Sequence, residues 1–186
     1  MSVSLKKGNS VNLSKKEPSL KKIMIGLGWE IKAGNQLDLD ASVFMIGANG
    51  KTLADEYFVF YNNLRSPDGS VQHTGDNRSG AGDDDDEMIL ANLALINEKI
   101  TEVIITVSIH EATVRRHHFG LLTEAYIRIV DVEKNREVLR YDLDANFNEF
   151  SDVEFGRLQR INGEWHFQAV GIGSNDGLQG YVDKYI

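Results

Sequence analysis

An antiparallel β-sandwich of two sheets with a few short helices is the fold class that the sequence predicts. Three observations lead there. Apolar and polar residues alternate along many short runs, turn-forming pairs separate those runs, and helix signals are few in a chain of 186 residues with 17 glycines and 2 prolines. About ten short strands in one chain suit a sandwich. Residues 1–186 are expected to form a single domain, because 41% hydrophobic content supports one sizeable core.

Taken in order, Val3 to Leu5, Val11 to Leu13 and Ile23 to Leu27 are short strand candidates. Leu37, Leu39, Ala41, Val43 and Met45 share one face of a strand; Asp38, Asp40 and Ser42 begin the other face, which turns apolar at Phe44 and Ile46. Tyr57 to Tyr61 is aromatic and β-branched, and Val103 to Ile109 is apolar enough for a central strand. Ala125 to Val130, Val138 to Leu143, Val153 to Arg160 and Glu164 to Val170 complete the set. Asn49-Gly50 and Asn162-Gly163 are hairpin signals, and Ser66-Pro67-Asp68-Gly69 places Pro and Gly as a type I turn prefers. Helical turns are expected at Ile96 to Ile100 and Glu111 to Arg116, and a short terminal helix over Gly177 to Tyr185.

Composition excludes several classes of function. The chain has no cysteine, so disulfides, thiolate metal sites and cysteine nucleophiles are all ruled out. Its formal net charge of -8 makes it a poor nucleic-acid binder. The first residues have no apolar run of signal-peptide type, and no stretch approaches the roughly 18 apolar residues of a spanning helix. A cytoplasmic location is the resulting expectation. Charge is uneven along the chain, basic from Lys6 to Lys22 and acidic from Asp83 to Glu87.

The unusual segment runs from Gly75 to Glu87. Gly75, Gly80 and Gly82 let its backbone turn tightly, and Asp76, Asp83, Asp84, Asp85, Asp86 and Glu87 crowd it with carboxylates. Two unit charges about 4 Å apart repel by roughly 1 kcal/mol even in water, so a cation is expected to join such a loop when it packs. Calcium suits carboxylates, Asn side chains and backbone carbonyls in flexible geometry; magnesium is stricter, and zinc and copper prefer imidazole or thiolate. An EF-hand is rejected, since Arg78 would occupy a ligand position and Ala81 the place where glycine is needed. Asp38 and Asp40, on one side of a strand, together with Asn62, Asn63 and Asp68, could converge on the same ions. Taken singly, Asp68 reads as a turn cap and the two asparagines as turn formers.

These residues resemble a known family. Gly26-Leu27-Gly28-Trp29, Leu37 to Ser42, Phe60-Tyr61-Asn62-Asn63-Leu64, Ser66 to Val71, His73 to Gly80 and Asp85-Asp86-Glu87 follow the pattern of the tellurium-resistance TerD family, bacterial general stress and chemical-damage resistance proteins. Phe119-Gly120, Ala125 to Val130, Arg140 to Leu143, Asn162 to Trp165 and Ala169-Val170-Gly171 continue it across nearly the whole chain. The resemblance implies a two-sheet β-sandwich binding calcium, two ions, in loops at one end. It also implies a non-enzymatic role in resistance to tellurite and other stresses, alongside other tellurium-resistance proteins, including a membrane partner. The ligand positions it carries over are Asp38, Asp40, Asn62, Asn63, Asp68, Asp76, Asn77, Asp83, Asp85, Asp86 and Glu87, with Gly80 and Gly82 as carbonyl donors. Asp84 departs from the family, which usually has glycine there.

Two other classes of function stay in view. A calcium-dependent hydrolase of a phosphorylated substrate would use a base such as His73 beside an open metal position. A metal-free interaction module would turn its acidic loop toward a basic partner. Arg115-Arg116-His117-His118, the most basic cluster outside the N-terminal region, could receive an anion, although such clusters are more often solvated loops. No serine lies in a nucleophile elbow, Gly26-Leu27-Gly28 lacks the third glycine of a dinucleotide loop, and Trp29 and Trp165 read as packing residues.

Overall fold

The computed structural model of the chain describes residues 1–76 and 85–186, and for Asp76 the backbone alone. Among these residues there are twelve strands: β1 Val3–Leu5, β2 Ser10–Asn12, β3 Lys22–Ile31, β4 Leu39–Ile46, β5 Phe58–Val59, β6 Val71–Asp76, β7 Glu87–Asn92, β8 Glu102–Ile109, β9 Leu122–Asp131, β10 Arg136–Asp142, β11 Asp152–Ile161 and β12 Glu164–Ser174. They form two six-stranded sheets, in the orders β1-β10-β9-β3-β7-β6 and β2-β12-β11-β8-β4-β5. Neighbours run antiparallel except β1, which pairs with β10 in parallel.

Period-two patterning sorts the residues. Ile23, Ile25 and Leu27 of β3, Ile127 and Ile129 of β9, and Val43, Val103, Ile105 and Phe167 of the second sheet are wholly buried in one core between the sheets. The switch along β4 has a simple cause. Phe44 and Ile46 face away from that core but are covered by the C-terminal helix Gly177–Tyr185, forming a second cluster with Phe58, Ile104, Tyr181 and Tyr185. Phe44 stacks on Phe58 at 4.5 Å and meets Tyr185 at 5.3 Å. Glu154, buried beneath the helix, accepts the Tyr185 Oη hydrogen bond at 2.7 Å and pairs with the Arg157 guanidinium.

Three expectations need correction. The aromatic run is a strand only over Phe58–Val59, because Phe60 and Asn63 exchange backbone hydrogen bonds at 3.0 Å and close a tight turn. The acidic segment expected to be loop from Gly75 to Glu87 gives Gly75 and Asp76 to β6 and Glu87 to β7, two strands that were not anticipated and that pair with each other in the first sheet. Val71, Ile89 and Ala91 supply their buried face. Ile96 to Ile100 forms turns rather than helix. The Asn162-Gly163 hairpin joins β11 to β12 with both residues at positive φ, 51° and 76°, as a type I′ turn requires.

Phe44 is wholly buried between the outer face of the second sheet and the terminal helix. Phe44→Ala should therefore cost about 3–5 kcal/mol, read as a lower urea midpoint; a loss below about 1 kcal/mol would mean that this second cluster packs loosely.

Candidate functional site

One end of the sandwich gathers the start of β4, the end of β6, the start of β7 and the ends of β3 and β8. Most of the carboxylates singled out in the sequence come to this end, and the described part of the acidic run is taken up by the chain itself.

Asp85, buried, receives the Tyr126 Oη hydrogen bond at 2.9 Å and a forked bond from Arg128, 3.0 Å from Nε and 2.6 Å from Nη2. Burial and the Asp85 hydrogen bond push the Tyr126 phenol up. Two glycines make room for this group. A Cβ on Gly26 would lie 2.6 Å from the Asp85 carboxyl, and one on Gly28 2.3 Å from the Tyr126 ring. Their spacing of two on β3 thus serves close approach and not a nucleotide. On the other side of the ring, the Arg140 guanidinium stacks on Tyr126 at 3.8 Å. Asp86 accepts from the Trp29 amide at 2.7 Å, while its own amide donates to Leu27. Glu87 accepts from the Ala41 amide at 2.6 Å, crossing from the first sheet to the second.

His73 is 3% exposed, and its Nδ1 accepts from the Gly75 amide at 2.9 Å. The proton is thereby placed on Nε2, 3.5 Å from the Glu87 carboxylate. With both nitrogens engaged and the ring buried, His73 supports Glu87 and is not a poised base.

Asp38 and Asp40 differ from the acidic run. Asp38 is exposed and Asp40 half-buried, and neither carboxylate accepts a hydrogen bond among the described residues. Burial, then repulsion from Glu87 and Asp38, pushes the Asp40 carboxyl up to about 6, against the pull of His110 and His73.

The remaining candidates do not join them. Asn63 spends its Nδ2 on the Glu56 and Phe58 carbonyls of its own turn, at 2.9 and 2.7 Å, and Asn62 is exposed. Asp68 lies at the opposite end, beside the start of β6, accepting from Ser66, Ser70 and the Asn97 amide at 2.7 to 2.9 Å. Burial alone would raise its carboxyl, but these hydrogen bonds together hold it below the ordinary value. Asn77, Gly80, Asp83 and the Asp76 side chain lie outside the described residues, as do Gly82 and Asp84.

The expectation of two calcium ions is corrected on this geometry. Among the described residues no group of three or more His, Asp or Glu side chains is placed to hold a metal ion. The physical reason is that Asp68, Asp85, Asp86 and Glu87 are already satisfied by protein donors, which neutralise or solvate each charge where a cation was expected. Sequence reading missed Tyr126 and Arg128 as the partners of Asp85. The available signal was Tyr126 and Arg128 at alternate positions of the apolar run Ala125 to Val130, opposite two glycines.

Two measurements follow. Asp85→Asn leaves a partly buried guanidinium without its main counter-charge; since Glu137 stays 3.5 Å from Arg128, a loss of about 3 kcal/mol is expected by urea unfolding. Asp40 carries the opposite sign. Its folded carboxyl, at about 6, lies above the ordinary 3.8, so the folded state takes up the proton first. Stability should rise as pH falls from 7 toward 4 and be lost as pH rises through 6. Asp40→Asn should add roughly 1 kcal/mol at pH 7 and flatten that slope; an unchanged slope would detach Asp40 from it.

Comparison with known proteins agrees with this architecture. The family model described as the TerD domain matches residues 1–185. The tellurium resistance protein TerD of Serratia marcescens is 47% identical over 187 residues, covering 100% of this chain and 97% of that protein. General stress protein 16U of Bacillus subtilis (strain 168) is 42% identical over 188 residues, covering 100% and 97%. In fold, the chain is similar to the crystal structure of a homologue of telluride resistance protein (TerD) from Streptomyces coelicolor A3(2), with a TM-score of 0.67 at 20% identity, over 88% of this chain and 95% of that one. With a family model spanning almost its full length and relatives matched end to end, this chain belongs to the TerD family.

Proposed function

We propose that the protein serves a bacterial response to tellurite and other chemical stresses as a non-enzymatic, metal-free interaction module. The names of its relatives speak of tellurium resistance and general stress and specify no reaction. The observation that carries the interaction reading is the contrast between two sets of acids. Asp85, Asp86 and Glu87 are spent on the fold, whereas among the described residues nothing donates a hydrogen bond to the Asp38 and Asp40 carboxylates at the same end.

Such a face suits a basic partner. Two like charges held close together are relieved by an incoming Lys or Arg, and a chain of net charge -8 adds long-range attraction. Other tellurium-resistance proteins of the same cell are the partners this reading favours, with Asp38 and Asp40 as the contact residues and the cytoplasm as the place. Among the described residues no helix is long and apolar enough to cross a membrane, so contact with a membrane partner would be made from the sandwich surface.

Deletion of the gene should lower survival in tellurite, and the wild-type gene should restore it. The exposed Asp38→Lys variant should keep its melting temperature, restore survival poorly, and co-purify less of any tellurium-resistance partner. Binding that weakens with rising salt fits this face. Full restoration by Asp38→Lys with undiminished partner recovery would sink it.

A further inference from the structure

The basic cluster Arg115-Arg116-His117-His118 is not absorbed by this reading, and the structure gives it a setting. Ala112–Arg115 forms a single helical turn, closed by Arg116 in the left-handed region at φ 55°. The His117 amide reaches back to the Ala112 carbonyl at 2.8 Å, and the Arg116 amide to Thr113. This is a Schellman closure, in which glycine or asparagine normally takes the left-handed position because a Cβ is disfavoured there. An arginine holds it instead, and Glu111 at φ 50° opens the same turn. The other described non-glycine residues at positive φ are asparagines, Asn135 and Asn162. Backbone strain at residues unsuited to it tends to collect at functional positions.

A cavity of about 440 Å³ opens against this turn, with Arg116, His117, Glu149 and Asn175 in its wall. Its volume falls in the range of small-molecule sites. Its wall carries one guanidinium and several side chains able to donate hydrogen bonds. Arg115 is neutralised by Glu111 at 2.8 Å, but Arg116 has no ion pair among the described residues. The His117 Nδ1 is buried with no hydrogen-bond partner among the described residues. An imidazole carries at least one N–H in either of its protonation states, so this ring can donate a hydrogen bond. Asn175 accepts the Ser151 amide on Oδ1 at 3.0 Å, which leaves its Nδ2 to donate. Glu149 is the one carboxylate among the residues lining the cavity.

We propose that this cavity binds the oxyanion group of a small ligand, with Arg116 supplying a fixed positive charge and His117 and Asn175 supplying further hydrogen-bond donors. A planar guanidinium with five N–H donors matches an oxyanion in a way that a glycine at the same turn could not. That explains why arginine occupies a position whose backbone geometry favours glycine. The shared chemistry is an oxygen-rich anion, whether a free inorganic ion or a phosphate carried on an organic molecule.

The test is calorimetric titration of the full chain with sodium phosphate, sodium tellurite and phenyl phosphate at constant ionic strength, followed by amide NMR. Saturable binding by at least one of the three is expected, with shifts centred on residues 112–118 and 175. Arg116→Gly should weaken it at least about tenfold while the melting temperature stays the same or rises, since glycine accepts the left-handed turn. Glu149→Gln should tighten binding. Tighter binding of phenyl phosphate than of phosphate would support an organic ligand, and tighter binding of tellurite an inorganic one. The proposal is overturned if none of the three saturates, if sodium chloride reproduces the shifts, or if Arg116→Gly binds as the wild type does.

Discussion

The Glu87 carboxylate spans the gap between the two sheets. It leaves β7, accepts the Ala41 amide of β4 at 2.6 Å, and is 4% exposed. Burying a carboxylate is costly unless charge-assisted hydrogen bonds replace its water. The Ala41 amide and the nearby His73 ring supply that replacement. The bond is available because β5 pairs with β4 only at Val43 and Phe44, so that among the described residues no strand pairs with the start of β4 on that edge. A donor that the sheet leaves unpaired thus meets an acceptor that the other sheet would otherwise bury unpaired. Removing either would strand the other.

The two preceding acids extend the same logic around the first sheet. Asp86 caps the Trp29 amide beyond the paired part of β3 and β7, and Asp85 turns onto the outer face between Gly26, Tyr126 and Arg128. The chain bends at Asp86 before β7 begins, so Asp85 and Glu87 reach opposite faces of the first sheet instead of the same one that an unbroken strand would give them. Three acids in a row therefore reach three separate elements, and what reads in one dimension as concentrated negative charge is distributed in space among separate donors. That distribution is why the described carboxylates do not gather into a cluster placed to hold an ion. Among the described residues it also leaves Asp38 and Asp40 as the acids at this end that accept no hydrogen bond.

Acidic and basic surfaces meet at this end of the sandwich. The turn carrying Arg116 follows β8, and β8 pairs with β4, where Asp40 lies opposite Ser108. Charges of both signs are thereby held on loops braced by a rigid pair of sheets, the usual placing of recognition groups. The opposite end shows the contrasting use of a carboxylate, where Asp68 organises its own Pro-Asp-Gly turn and tethers Asn97.

The sequence by itself determined the sandwich, because side-chain alternation and turn chemistry are local properties. Leu39, Ala41, Val43 and Met45 on one face of β4, the Asn162-Gly163 hairpin and the terminal helix are all legible from near neighbours. So was the family, since matching residues run the length of the chain. Edge pairing was not legible: β6 is mostly polar and β7 is a short apolar run beginning at the last acid of the acidic segment, and they are held as strands because Val71, Ile89 and Ala91 find a core built by others. Nor were the roles of the acids. Asp85 and Asp40 are the same residue type, yet one is bound by Tyr126 and Arg128 from across the sheet and the other stands beside Glu87 and Asp38 with its carboxyl raised. A carboxylate's chemistry is set by which donors and charges surround it, and only the tertiary structure brings residues more than forty positions apart to within a hydrogen bond.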